Sequence, residues 1–260
     1  MSKIRDAWLL AGASSVALTG AAGAQSRPPA PGVTTSWAGF YAGINLGQAR
    51  HHATTTDVNN YSGIPPNNYV TTWFDSTKTS FTYGGQVGYN WQYKMLVVGV
   101  EADINQVGAE TTFAPVNNFA ALGCNSTCAA SATNELKWLA TFRGRAGIAI
   151  QQFFFYGTAG LAVGRVSNRW GFGDSASFSD SQFSVDETRV GVVYGGGAEL
   201  ALSPHWIVRA EGLYVDLGTS SSTNNTINPV AAILTPGTPP FRTDFKNTAT
   251  IGRLALNYKW

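Results

Sequence analysis

An eight-stranded antiparallel up-and-down β-barrel crossing a lipid bilayer is the fold this 260-residue sequence predicts, on three observations. Eight segments of about ten residues alternate with period two. The links between them are short and long in strict turn. Charged residues make up only 12% of the chain, whereas soluble domains carry about a quarter. No stretch after the N-terminus holds the roughly 20 consecutive apolar residues of a membrane-crossing helix. A chain this poor in charge, with 12% aromatics and 29 glycines, therefore meets hydrocarbon with strands.

The N-terminus stands apart. Lys3 and Arg5 precede an apolar run from Ala7 to Gly20, and Ala22-Gly23-Ala24 supplies small residues at peptidase spacing. Residues 1–24 read as a secretory signal peptide cleaved before Gln25. Residues 25–36, rich in proline and without periodicity, read as a flexible periplasmic lead-in, and residues 37–260 as the barrel. Without Lys3, Arg5 and Asp6 the 17 basic and 15 acidic residues become 15 and 14. A net charge of +1 gives no reason to expect nucleic acid as a partner.

Each segment shows one face fit for lipid. WAGFYAGINLG puts Ala38, Phe40, Ala42, Ile44 and Leu46 opposite Tyr41, Asn45 and several glycines. FTYGGQVGYNWQ sets Phe81, Tyr83, Val87, Tyr89 and Trp91 against Thr82, Gln86, Asn90 and Gln92. After a turn at Tyr93-Lys94-Met95, Leu96, Val98, Val100, Ala102 and Ile104 oppose Glu101, Asp103 and Asn105. In the fourth segment Trp138, Ala140, Phe142, Ala146 and Ile148 oppose Thr141, Arg143 and Arg145. A turn at Gln151-Gln152 leads to FFFYGTAGLAVGRV, where both faces are nearly apolar and Phe153, Phe155, Ala159, Leu161 and Val163 are taken as the outer set. The sixth opposes Val190, Val192, Tyr194, Ala198 and Leu200 to Arg189 and Glu199. Past Ser203-Pro204-His205, Val208, Ala210 and Tyr214 oppose Arg209 and Glu211. The last alternates Leu254, Leu256, Tyr258 and Trp260 with Arg253, Asn257 and Lys259.

Short turns follow segments two, four and six. Long loops, spanning roughly 48–79, 106–136, 167–187 and 219–248, follow one, three, five and seven. Such sorting by end fits a membrane barrel with periplasmic turns and extracellular loops; a soluble sandwich gives no reason for it. The third loop, WGFGDSASFSDSQFSV, keeps enough alternation for a hairpin protruding beyond the membrane.

Charges obey the same logic. Arg165 and Asp216, the two on the apolar face, come at strand ends that precede long loops, where the cost of a lipid-facing charge falls toward zero. The other face collects Glu101, Asp103, Glu199 and Glu211 with Arg143, Arg145, Arg209 and Arg253, four against four. An eight-stranded barrel is just wide enough for side chains to fill, so these eight are expected to pair in a plugged interior. Trp37, Trp91, Tyr93, Trp138, Trp206, Tyr258 and Trp260 are expected in the interfacial girdles. Cys124 and Cys128, four apart in a polar stretch of an exported chain, point to a local disulfide; a metal site would need two more ligands and no nearby histidine offers one.

Candidates for chemistry are few. His51, His52 and Asp57 follow the first segment, where an acid–base group of a lipid-A-modifying enzyme would sit; a polar loop with two histidines is the simpler reading. GTAGLAVG lies within a strand and precedes no helix, which removes a phosphate-loop reading. Glu101 with Asp103 reads as part of an ion network rather than a catalytic carboxylate pair. Arg50, Arg165 and Arg169 near the outer rim are placed to meet lipopolysaccharide phosphates, or to be solvated loop charges. No cofactor is expected. A diffusion pore is the remaining alternative, opposed by the narrow lumen of eight strands.

The ordered set WAGFYAGINLG, YGGQVGYNW, VVGVEADI, RGRAGIAI, YGTAGLAVGRV, VVYGGGAEL, IVRAEGLYVDLG and IGRLALNYKW resembles the alphaproteobacterial outer-membrane immunogenic proteins of the RopB type, porin-family barrels allied to the membrane domain of OmpA. The resemblance covers nearly all of the chain after the signal, loops least. It implies an eight-stranded barrel, a place among outer-membrane lipid and lipopolysaccharide, and a role as surface antigen and envelope component. It also implies handling by the barrel-assembly machinery through a C-terminal signal, here Leu254, Leu256, Tyr258 and Trp260. The family ends in Phe where this chain has Trp260. With strands running to the final residue, no OmpA-type peptidoglycan-binding domain is expected.

Overall fold

The computed structural model describes residues 35–57, 72–113, 128–174, 178–224 and 241–260. Eight antiparallel strands close into a barrel in sequence order. They are β1 (Gly39–Asp57), β2 (Thr72–Tyr93), β3 (Leu96–Phe113), β4 (Cys128–Ile150), β5 (Phe153–Asp174), β6 (Phe178–Ala201), β7 (Trp206–Asn224) and β8 (Phe241–Lys259). Pairing of β1 with β8, from Tyr41↔Lys259 to Asp57↔Thr243, completes the closure. The predicted faces hold throughout. Ile44, Leu46, Phe81, Ile104, Phe142, Leu161, Val190 and Leu254 are exposed on the outside, while the eight charged residues point into the lumen. In β5, the segment with two apolar faces, Phe153 and Phe155 turn outward and Phe154 and Tyr156 inward.

Two sequence expectations need correction. The strands are 18 to 24 residues long, about twice the 9–11 that a bilayer requires, so the loop ranges 48–79, 106–136, 167–187 and 219–248 were drawn too wide. Their Thr- and Ser-rich ends carry little hydrophobic contrast, which hides them from a periodicity search. They nevertheless continue ladders already begun in the membrane, as Thr55↔Phe245 and Ser221↔Asp244 do. The protruding β5–β6 hairpin is one case, paired as far as Asp174↔Phe178. Trp37 is the second correction. It precedes β1, where Gly39 at φ 125° turns the chain, and its ring is fully buried against Phe154 at 5.4 Å instead of lying in a girdle. Trp91, Tyr93, Trp206 and Trp260 do face outward near the short-turn end. Cys124 lies outside the described residues, as does the side chain of Cys128, so the disulfide expectation is not addressed by the described structure.

Above the membrane the ladder divides. β2 pairs with β3 only as far as Tyr83↔Gln106, and β6 with β7 only as far as Val192↔Asp216, among the described residues. All the other neighbours stay paired further out. The extracellular part therefore forms two four-stranded leaves, β7-β8-β1-β2 and β3-β4-β5-β6. Both seams begin at the same device on opposite strands: a left-handed glycine, Gly108 (φ 53°) in β3 and Gly218 (φ 73°) in β7. Each sits in a bulge where the register against the following strand shifts, between Gln106 and Ala109 and between Asp216 and Thr219. A bulge with glycine in this conformation bends its strand and raises its twist, carrying β3 toward β4 and β7 toward β8. Side chains lace the seams. Ser80 and Thr82 donate to the carbonyls of Val107 and Gln106 at 2.9 Å, Arg189 donates to the Thr219 carbonyl, and Ser220 to Glu187.

A Cβ at Gly108 would meet nothing within 4 Å, so the cost of Gly108→Ala is conformational alone. It should lower the unfolding free energy by about 1–2 kcal/mol. Gly212→Ala, equally open but not in the left-handed region, should cost nothing. Urea unfolding of the two variants in lipid vesicles compares them directly.

Candidate functional site: a charged layer inside the barrel

The lumen of this barrel is filled in three layers, best followed strand by strand. Nearest the short turns, Trp37, Val97, Ala149, Phe154, Tyr156, Ala201 and Ile207 form an apolar base. The charged residues come next along the same strands. Toward the long loops follows a second apolar cluster that includes Val107, Leu136, Leu139, Val193, Leu213, Val215, Leu217 and Ile251.

Register creates the middle layer. Period-two alternation aims Glu101 and Asp103 of β3 inward, with Arg143 and Arg145 of β4, Glu199 of β6, Arg209 and Glu211 of β7 and Arg253 of β8. Three pairs face each other on adjacent strands: Glu101↔Arg143, Glu199↔Arg209 and Glu211↔Arg253. Further bonds run both along the sheet and across the lumen. Arg143 donates to Asp103 at 2.8 Å and to Glu211 at 3.0 Å. Arg145 reaches Glu199 at 2.7 Å and Asn90 at 2.9 Å. Arg209 lies 2.6 Å from Glu101 and donates to Glu199 at 2.7 Å, while Arg253 donates to Glu211 at 2.8 Å and Asp103 at 3.2 Å. None of the eight is more than 6% exposed.

Neutral donors complete the shells. Tyr41 donates to Glu101 at 2.5 Å, Tyr156 to Glu211 at 2.7 Å, and Thr141 and Asn105 to Asp103 at 2.6 Å. The Arg145 guanidinium lies over three rings, 4.8 Å from Tyr41, 5.0 Å from Tyr156 and 5.3 Å from Phe154, a cation–π cage that joins the charged layer to the apolar base. Inward glycines give these rings room: a Cβ at Gly88 would collide with the Tyr41 hydroxyl, and one at Gly197 with that of Tyr156. Buried charges at such density are tolerated because each finds opposite charge and hydrogen bonds.

Sequence reasoning named all eight charges but missed their surroundings. Tyr156 and Phe154 were hidden by the two apolar faces of β5. The upper cluster was hidden because Leu139, Leu213 and Val215 look like any strand hydrophobic unless the inward register is already known. The structure separates the two histidines of the catalytic alternative, and the side chain of Asp57 lies outside the described residues. His51 is fully buried in the lumen beside Asn247 at 3.2 Å, whereas His52, its neighbour, faces the other way and contacts Thr77 at 3.0 Å. Adjacent strand residues point to opposite faces, so the two histidines are not brought together on one face. Among the described residues, no group of three or more metal-ligating side chains comes together.

Comparison with known proteins places the chain. The model of the outer membrane protein beta-barrel domain matches residues 13–232. The chain belongs to that family. Among similar proteins is the 31 kDa outer-membrane immunogenic protein of Brucella melitensis biotype 1, 34% identical over 203 residues and covering 74% of this chain and 78% of the relative. The 22 kDa outer membrane protein of Rhizobium leguminosarum bv. viciae is 29% identical over 199 residues, 74% of this chain and 69% of its own length. The crystal structure of the outer membrane protein OprG from Pseudomonas aeruginosa covers 86% of this chain and 97% of that one, at 14% identity and a TM-score of 0.46. This family member therefore resides in the outer membrane, and its exposed belt is its lipid-facing surface.

Removing one partner of a buried ion pair strands the other, at about 3–5 kcal/mol. Arg143→Met, which leaves Glu101, Asp103 and Glu211 short of a donor, should lower the unfolding free energy by about that much. Arg165→Met at the exposed rim should change it by less than about 0.5 kcal/mol. Urea titrations followed by tryptophan fluorescence in lipid vesicles measure both.

Proposed function

We propose that this chain is a structural, surface-exposed component of the outer membrane, neither a diffusion channel nor an enzyme. The observation that carries the reading is the filled lumen, in which ion-paired side chains lie between two buried apolar clusters. A hydrated solute would have to separate buried ion pairs and enter apolar layers, both strongly unfavourable. The extended strand ends, rich in Thr and Ser, supply a hydrated surface outside the cell. Relatives named as immunogenic proteins support an antigenic role for that surface.

The biogenesis follows from the two ends of the sequence. Residues 1–24 act as the export signal, cleaved before Gln25, and residues 25–36 as the periplasmic lead-in. Leu254, Leu256, Tyr258 and Trp260 form the outward-facing row that the barrel-assembly machinery reads. A local Cys124–Cys128 disulfide forms after export.

Planar-bilayer recording of the refolded protein tests the closed lumen. No stable conductance steps are expected; large, reproducible steps would establish a pore and overturn the reading.

A further inference from the structure

The lipid-facing belt has a depression where β1 meets β8, a groove of about 500 Å³ with Leu46, Gln48, Arg50, Thr79, Thr250 and Leu254 around it. Gly252 forms its floor, and a Cβ there would meet nothing within 4 Å. Gly212, its partner on β7, is equally open. Rings flank the groove. Phe81 and Tyr83 of β2, 61% and 57% exposed, stand opposite Gln48 and Leu46, and Tyr214 of β7 stands opposite Thr250. Across β3, β4 and β5, bulky groups such as Ile104, Phe142 and Leu161 stand exposed on the belt.

The position of the groove is as informative as its shape. Leu46 and Leu254 are the last apolar outward residues of their strands, and Gln48, Arg50 and Thr250 follow at once. The groove therefore straddles the boundary between hydrocarbon and headgroups on the extracellular side. Four residues from Leu254 to Thr250 span about 13 Å, enough for a good part of an acyl chain. At the upper end stands Arg50, exposed, with no carboxylate partner among the described residues. Apolar walls below and a guanidinium above are complementary to an anionic amphiphile, and a guanidinium fits a phosphate with paired donors.

We propose that this groove binds one phosphate-bearing lipid of the outer leaflet, its acyl chain laid over Gly252 and its phosphate held by Arg50, with Gln48 and Thr250 as further donors. The groove continues the lipid-facing surface, so its natural occupant comes from the membrane itself. The site rests on the outer-membrane placement of the barrel and not on the closed lumen. A conducting barrel would overturn the function proposed above and leave this site untouched.

Native mass spectrometry of the detergent-refolded protein, titrated with bis-phosphorylated lipid A and with chemically dephosphorylated lipid A, is the test. The protein should retain one lipid A, preferring the phosphorylated form by on the order of ten-fold, as one charge-assisted hydrogen bond provides. Gly252→Leu, whose Cβ would meet nothing within 4 Å, places a side chain in the groove and should weaken both forms by on the order of ten-fold or more, with folding verified by heat-modifiable migration. Arg50→Gln, a surface change, should abolish the preference and keep binding of the dephosphorylated form. Unchanged binding by a folded Gly252→Leu protein would overturn the proposal. So would a preference that survives Arg50→Gln, or uptake that never saturates.

Discussion

Everything in this barrel depends on four carboxylates and four guanidiniums neutralising one another inside a closed sheet. A charge on the lipid side at mid-bilayer costs about 2–4 kcal/mol, and a charge left alone inside would be at least as unfavourable. Both are avoided by one rule of register: polar groups inward, apolar groups outward, over every span. The network then extends well beyond neighbouring strands. Arg143 joins β4 to β3 and β7, and Arg253 joins β8 to β7 and β3, so strands far apart around the circumference are held at one distance. Interior charge of this kind is weak evidence for stability as such, since apolar replacements are often as stable. Its clearest physical consequence is specificity of register, because a one-residue slip would send every one of these groups into lipid.

The layers on either side give the network its dry surroundings. Trp37 and Phe154 close the periplasmic end, and the Arg145 cage over Tyr41, Phe154 and Tyr156 binds that base to the charges. Leu136, Leu139 and Leu217 cover the other side. Farther out the demand for closure ends, because water can satisfy the backbone groups that hydrocarbon cannot. There the sheet opens into two leaves at Gly108 and Gly218, and side chains such as Ser80 and Arg189 replace ladder bonds across the seams. The same sheet is thus continuous where lipid requires it and divided where water permits it.

Most of the membrane part was legible in the sequence. Strand number, faces, short turns and all eight interior charges follow from period-two alternation, because lipid and lumen impose opposite chemistry on successive residues. What was not legible lacked that contrast. The outer halves of β1, β2 and β7, built from residues such as Thr54, Thr79 and Ser221, have water outside and a polar lumen inside, so neither face is marked. Trp37 misled because an aromatic at a strand end has the same composition signal whether it anchors at an interface or turns inward. The upper apolar cluster was invisible for the reverse reason: Leu139 and Val215 are apolar on a face expected to be polar. The groove over Gly252 depends on which glycine points to lipid and what stands around it, a fact of register and neighbours that no single segment carries.

Proton exchange of the arginine side chains tests the central claim most directly. In the protein reconstituted into lipid bilayers, nitrogen-detected NMR in deuterated water should show guanidinium protons of Arg143, Arg145, Arg209 and Arg253 exchanging far more slowly than those of Arg50 and Arg165. Cross-peaks from the slow set to the carboxylate carbons of Glu101, Asp103, Glu199 and Glu211 should accompany that protection. If all six arginines exchanged together at the rate of exposed groups, the lumen would be hydrated and the ion-paired interior would not exist.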